Sequence, residues 1–393
     1  MAEISHDDRD YVARARELGP ALDAAANEIE QKRDLPATVL SLLGENGFFR
    51  LLQPASLGGA ELDPMTYVRV VEEIARHDAS TGWCVEQANG CSMISAYLDR
   101  EVSKEIFGPT GGIVAWGPAG PAELRKVPGG FRLSGAWNFA SGSHHATWLG
   151  AHVAVRDSDG EPLRTSDGGE VLRTLLFPKC AATITDIWHV VGLRGTGSDR
   201  YSVTDLFINE RYTVLRPGTA PRHPGALYRF SSSSLYAAGV AAVALGAARG
   251  IIADLTELGK EKTPRGGRQR LCENQVVQSQ LAQAEARVRS ARAFVLEAFS
   301  SAWDEVGESG QLSLEHNAMI RLATTWAIQQ ARQVVNTLYH AAGATAIFDD
   351  RPFERRLRDI HTASQQTQAS QAHFETVGRF LFGFVPDAAM FTF

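Results

Sequence analysis

The chain has 393 residues, with 39 basic against 45 acidic side chains and a formal net charge of -6. Hydrophobic residues make up 44%, enough for a large core and too many for a disordered chain. So balanced a charge excludes a nucleic-acid binder built on a basic stripe, and the length predicts about two or three domains.

Residues 1–110 read as an N-terminal α-helical domain. The first residues are charged and hold no apolar run, so no signal peptide is expected. The segment VLSLL, following Leu35-Pro36-Ala37-Thr38, puts apolar groups at helical spacing. Thr66 to Arg76 and Thr81 to Leu98 do the same, with Asp78 or Ser80 as the N-cap of the latter.

Residues 111–222 change texture, and Gly and Pro become dense. Short runs at 129–141, 147–156, 171–179 and 200–215 predict strands. Turn clusters at 157–160 and 166–169 separate them. The spacing predicts a central β-barrel or sandwich of about 100 residues.

Residues 223–393 return to long helical patterns: Leu235–Leu258, Leu271 to about Trp303, Ser313–Ala342 and Pro352–Phe382. They predict a C-terminal four-helix bundle. Alanines and glycines between Ala237 and Ala248 allow close helix approach. The apolar run Leu235–Ile252 contains Arg249 and is shorter than about 20 apolar residues, so it reads as a buried helix rather than a membrane span. The fold class is α+β, mostly α, with no internal repeat. Cys84, Cys91, Cys180 and Cys272 form no CxxC and no zinc spacing, which fits a reducing, cytoplasmic setting.

Four segments carry a resemblance: LLGENGFFRLLQPASLGGAELD (42–63), GAWNFASG (135–142), WHVVGLRGTGS (188–198) and RRLRDIHTASQQTQ (355–368). In this order, on this architecture, they resemble the acyl-CoA dehydrogenase fold over nearly the whole chain. Two departures stand out. The dehydrogenases' base, a glutamate, is replaced at or near that position by His361, and their WIT motif reads WNFASG. Both departures resemble the two-component flavin monooxygenases built on this fold, including the oxygenase components of 4-hydroxyphenylacetate hydroxylase and dibenzothiophene monooxygenase.

That resemblance implies an oxygenase using reduced flavin and O2, through a C4a-hydroperoxyflavin, on a small aromatic or heterocyclic substrate. Ser141 and His361 are the implied catalytic residues: a small hydroxyl beside Gly142 suits an acceptor for the flavin N5 proton, and an imidazole moves protons near neutral pH. The implied flavin contacts are Asn138, Ser141, Gly142, Trp188, Arg194, Ser198, Arg268 and Gly343, with Arg270 a weaker choice. Trp83, Cys84, Gln87 and Trp116, with Asn89, are candidates for the substrate pocket. The loop at Gly343 reads AAGATA, which leaves FMN, slightly preferred, or FAD as the flavin. No GxGxxG follows a strand, so a separate NAD(P)H-flavin reductase must supply it. Adjacent His144 and His145 point to opposite faces of a strand, a poor metal pair, and no metal is expected. A homotetramer is expected, with no nucleic-acid or membrane partner. The alternatives are an FAD-dependent acyl-CoA dehydrogenase or related flavin oxidase, and a catalytically silent scaffold.

Overall fold

The computed structural model describes residues 10–108, 112–156, 161–164, 171–216 and 219–384. The turn clusters expected at 157–160 and 166–169 therefore lie outside the described residues.

Five helices come first: α1 (Tyr11–Lys32), α2 (Ala37–Glu45), α3 (Pro64–His77), α4 (Ala79–Ser92) and α5 (Arg100–Phe107). Asp78 ends α3 and caps α4. Its Oδ1 accepts from Thr81 N at 2.6 Å and Thr81 Oγ1 at 2.7 Å, so Asp78 rather than Ser80 is the cap. α4 stops at Ser92, short of the expected Leu98, and Met93–Ala96 tightens into a 3-10 turn. The Ser92 hydroxyl turns back to Asn89 O at 2.8 Å there, a local bond that competes with helix continuation.

Eight strands follow: β1 (Val114–Ala115), β2 (Ala122–Val127), β3 (Gly130–Ala140), β4 (Trp148–Ala154), β5 (Leu172–Pro178), β6 (Thr183–Thr185), β7 (Asp199–Asn209) and β8 (Thr213–Arg216). They form two four-stranded sheets, ordered β1-β4-β5-β8 and β2-β3-β7-β6. Their inner faces share a core that includes Leu133, Trp137, Leu149, Leu175 and Tyr201. Trp137 stacks on Tyr201 with centroids 5.3 Å apart. The β3–β7 register slips between Trp137 and Ala140. This bulge twists the end of β3 and re-aims the residues that follow.

The bundle comprises α6 (Ser232–Glu261), α7 (Gln275–Ser309), α8 (Leu314–Ala342) and α9 (Pro352–Ala363), and α10 (Ala372–Leu381) packs on α8. The fourth helix expected over Pro352–Phe382 is thus two helices. Buried Arg321 of α8 causes the break: it bonds Gln368, and Ser233 Oγ at 2.8 Å. Gln329 Nε2 adds a bond to Ala369 O at 2.8 Å. Satisfying a buried guanidinium outweighs one more turn of polar helix.

α6 is long and apolar enough to cross a bilayer, but 83% of its most apolar window is buried inside the fold, as in a core helix. Its small residues let α3 lie against it. A Cβ on Gly246 would come 2.4 Å from Glu72 O. α4 packs on α6 on one side, while a cluster of Cys91, Val114, Trp116, Leu176 and Val214 joins its end to the sheets. The site described next lies at that junction of helices and sheets.

Candidate active site

The bulged end of β3 delivers Ser141 into a tight turn, with Gly142 at φ +75°, a conformation that favours glycine. Gly142 N donates to Thr196 O at 2.9 Å, binding this turn to the loop before β7. Ser141 is buried, and its Oγ accepts from Trp83 Nε1 of α4 at 3.0 Å. Ser141 Oγ and Ser198 Oγ are 2.6 Å apart, as are Ser198 Oγ and Thr196 Oγ1. Thr196 Oγ1 donates onward to Leu193 O at 2.9 Å.

A hydroxyl has one proton. Thr196 gives its proton to Leu193, so Ser198 donates to Thr196 and Ser141 donates to Ser198. Ser141 is left with one lone pair and no proton to offer. Toward any further group it is an acceptor.

Leu193 anchors this chain. It sits at φ +51°, strained for a leucine. Its N donates to Asp359 Oδ1 of α9 at 2.6 Å, and its O also accepts from Trp188 Nε1 at 3.0 Å. Burial pushes the Asp359 carboxyl up to about 7. Asp199 Oδ1 accepts from Ile187 N at 2.8 Å and Trp188 N at 3.0 Å, fixing the same loop. His144 clamps it from outside, between Asp199 Oδ2 at 2.7 Å and Asp34 Oδ2 at 3.1 Å. The bond to Asp34, then that to Asp199, raises its pKa to about 9, so the imidazolium is charged. His145 lies beside Phe49, with both ring nitrogens buried and unpartnered, and desolvation lowers it to about 4.

Of the expected residues, Ser141, Gly142, Ser198, Trp188 and Trp83 come together. Asn138 pairs with Arg200 Nε at 2.7 Å at the rim. Arg194 lies 3.5 Å from Glu30 Oε1, and its buried Nε makes no hydrogen bond. His361 is exposed on α9, bonded to Asn336 Oδ1 of α8 at 2.9 Å, and makes no hydrogen bond to the Ser141 cluster. Arg268 is exposed on the loop before α7, and Gly343, at φ +63°, stands beside Lys262; neither bonds to the cluster. Arg270 caps the turn at Glu273 instead, its N donating to Glu273 Oε2 at 2.7 Å.

Along α4, Cys84 is buried with its thiol pushed well up by desolvation, and Gln87 bonds Glu86 Oε1 at 2.5 Å. Asn89 is structural, bonding the backbone of Leu51, Leu52, Phe48 and Val85. Trp116 is buried at the α4–sheet junction. Thr196, Leu193 and Asp359 are the participants that sequence reasoning missed. A signal existed for Thr196, inside the GLRGTGS turn, but Asp359 shows its role only through α9's packing. A groove of about 780 Å³ opens on the α3–α7 face, lined by Arg69, Leu296 and Trp303 among others, and shares no residue with this cluster.

Models of the acyl-CoA dehydrogenase N-terminal and C-terminal domains match residues 7–109 and 238–371, together more than half the chain. The chain belongs to the acyl-CoA dehydrogenase family. Within it, the chain is 29% identical over 384 residues to an indole-3-acetate monooxygenase from Pseudomonas putida, covering 95% of this chain and 96% of that protein. It is 28% identical over 375 residues to the flavin-dependent monooxygenase oxygenase subunit HsaA of Mycobacterium tuberculosis, covering 92% of each. The solved structure of XiaF from Streptomyces sp., in complex with FADH2 and glycerol, matches with a TM-score of 0.89 at 25% identity over 96% of each chain.

The acyl-CoA dehydrogenase family implies a flavin, and the residues here fit one. Phe139, at φ +61°, is 59% exposed and meets Trp188 edge-on at 6.1 Å, presenting aromatic surface to a planar ring. Arg194 Nε, buried and facing Glu30 Oε1 at 3.5 Å without a hydrogen bond, supplies a donor. Ser141 supplies the acceptor.

Proposed function

We propose that this chain is the oxygenase component of a two-component flavin-dependent monooxygenase, acting with reduced flavin and O2 on a small aromatic or heterocyclic substrate. When bound, reduced flavin supplies the electrons that let one oxygen atom enter the substrate while the other leaves as water.

The observation that carries this reading is the direction of the Ser141 hydroxyl chain. Dihydroflavin carries an N–H whose proton must be held to keep O2 reduction from ending in H2O2. Ser141, its own proton committed to Ser198, is fixed as the acceptor for such a group. Buried Trp83 closes the α4 side, and a flavin stacked on Phe139 and Trp188 would keep water from Ser141. We assign His361 as the second catalytic group, moving a proton on the α9 side, and Arg194 and Trp188 to flavin contact. His361 stands at or near the position where many acyl-CoA dehydrogenases carry a glutamate base, which favours the oxygenase over the dehydrogenase.

A separate reductase delivers the flavin, with FMN preferred over FAD. Exposed Ile347, Phe348, Leu381 and Phe382 on the bundle suit burial in a homotetramer. Four unpaired cysteines fit the cytoplasm.

The test mixes protein with FMNH2 or FADH2, then O2 and a panel of aromatic substrates, and measures product against H2O2. Hydroxylated product forms, and FMNH2 competes out FADH2. Ser141→Ala still binds flavin but diverts about ten times more of the O2 to H2O2, the scale of one lost charge-assisted or buried hydrogen bond. Unchanged coupling in that variant, or anaerobic reduction of tightly held FAD by an acyl thioester, overturns the reading.

A further inference from the structure

Trp188, the ring assigned to flavin contact, is held from three sides. Its N donates to Asp199 Oδ1 at 3.0 Å, its O accepts from Arg33 Nη1 at 3.1 Å, and its Nε1 donates to Leu193 O at 3.0 Å. Two of these ties lead to the end of α1. Arg33, which caps that helix at φ +55°, grips Asp186 with both Nη atoms, at 2.8 and 2.7 Å. Asp34 follows it and faces His144 Nδ1 at 3.1 Å. His144 Nε2 donates to Asp199 Oδ2 at 2.7 Å, the other oxygen of the carboxylate that holds Ile187 N and Trp188 N.

This geometry by itself fixes the protonation of His144. A neutral imidazole has one N–H and one lone pair. Here each ring nitrogen meets a carboxylate oxygen, so a lone pair on either would face negative charge. The ring is therefore an imidazolium, with a proton on both nitrogens. Its side chain is 33% exposed, which gives the proton a path to solvent, while that of Asp199 is only 3% exposed. The other charged groups nearby do not replace it. Lys179 Nζ bonds the His144 backbone O at 2.6 Å, Arg33 is committed to Asp186, and His189 lies 3.4 Å from Asp186 on the surface. His145, desolvated to about 4, is neutral. Without the His144 proton, Asp34 and Asp199 lose the cation they share, and the end of α1 loses its hold on Asp199.

We propose that His144 is a positioning residue for the flavin: its imidazolium pins the end of α1 to Asp199, and Asp199 sets Trp188 where the flavin ring stacks. Flavin affinity therefore follows the His144 proton. The proposal rests on the flavin reading of the Ser141–Trp188 site and adds a proton-linked determinant of it. His144 acts through Asp199, not by contact with the reacting atoms. Asp34 raises its pKa most and Asp199 next, to about 9, so the clamp is closed at neutral pH and opens as pH rises through that value.

The experiment is anaerobic equilibrium titration with FMNH2, and with FADH2 in parallel, from about pH 6.5 to about pH 10, spanning the free and raised imidazole values. Quenching of tryptophan fluorescence reads binding, and circular dichroism confirms the fold at each pH. The flavin's own ionisations are common to every protein compared and cancel. Wild-type affinity falls about tenfold across the alkaline half of the range, the low end of what one hydrogen bond to a charged group supplies. His144→Gln, with no ring to titrate, binds about tenfold more weakly at neutral pH and is flat where wild type falls. Asp34→Asn keeps the shape but removes the larger support of the proton, so its fall moves to lower pH, a shift that a merely structural role would not produce. A wild-type profile with no fall, a fall that survives in His144→Gln, or one unmoved in Asp34→Asn overturns the proposal; if His144→Gln fails to fold, Asp34→Asn decides. Oxygenated product with an unmoved profile sinks the clamp alone. The expected profile without product under reduced flavin and O2 sinks the oxygenase reading and leaves a proton-linked flavin site.

Discussion

At the scale of single residues, the site turns on where one proton points. Thr196 donates to Leu193 O, and that bond sets every later direction in the chain to Ser141. Thr196→Val removes the acceptor that Ser198 donates to. Ser198 can then turn its proton toward Ser141, occupying the lone pair that the site needs. Coupled oxygenation should fall about five- to tenfold, the worth of one net hydrogen bond, with flavin affinity nearly unchanged. Thr196→Ser restores the hydroxyl and should restore coupling. Equal loss in both variants, measured as product per O2 consumed, would mean the methyl packing matters and the proton direction does not. Asp359 acts one step back, as a positioning residue that holds Leu193 in its left-handed conformation.

At the scale of elements, α4 carries Trp83 against Ser141. Its first turn hangs on Asp78, whose carboxylate takes both the backbone N and the hydroxyl of Thr81. Asp78→Ala should cost about 1–2 kcal/mol in urea unfolding, the upper range for a lost cap because the site is buried. Asp78→Ser, which can still cap, should recover most of it; equal losses would show that the cap is not what stabilises α4. The period of three to four residues made α3, α6 and α8 legible in the sequence, and alternation made the strands legible. The Ser141–Gly142 turn and Ser198 were legible because they lie in short motifs. The break between α9 and α10 was not: Gln365 to Ala372 reads as helix until buried Arg321 claims Gln368. The bulge that sets Phe139 at φ +61° was equally hidden, since it arises from pairing with β7. His361 was legible as a residue, but its exposure and its bond to Asn336 follow from how α9 meets α8.

At the scale of the whole molecule, the helices and sheets bury ionisable groups whose protons couple folding to pH. Burial holds the Glu86 carboxyl at about 8 and that of Asp359 at about 7. Both bind their proton more tightly folded than unfolded. As pH rises from the ordinary carboxylate range near ~4 through these values, the unfolded chain has already lost protons that the folded chain keeps, so stability falls. His144, raised to about 9 chiefly by Asp34, stabilises fully below its unfolded value near ~6.5, and that contribution is lost as pH rises through about 9. His145, at about 4, and His152, at about 3, act in the opposite sense, and their contribution is lost as pH falls below ~6.5. Between ~4 and ~6.5 the two sets oppose one another; above ~6.5 only the first still changes. The unfolding midpoint should therefore drop steadily between about pH 6.5 and pH 9. Glu86→Gln keeps the shape and the contact to Gln87 but cannot ionise, so calorimetry should find a shallower drop in that variant. An equal slope in both proteins would mean that Glu86 is ionised in the fold, a buried charge held by Gln87 alone, with Oε2 unpartnered between α4 and α6.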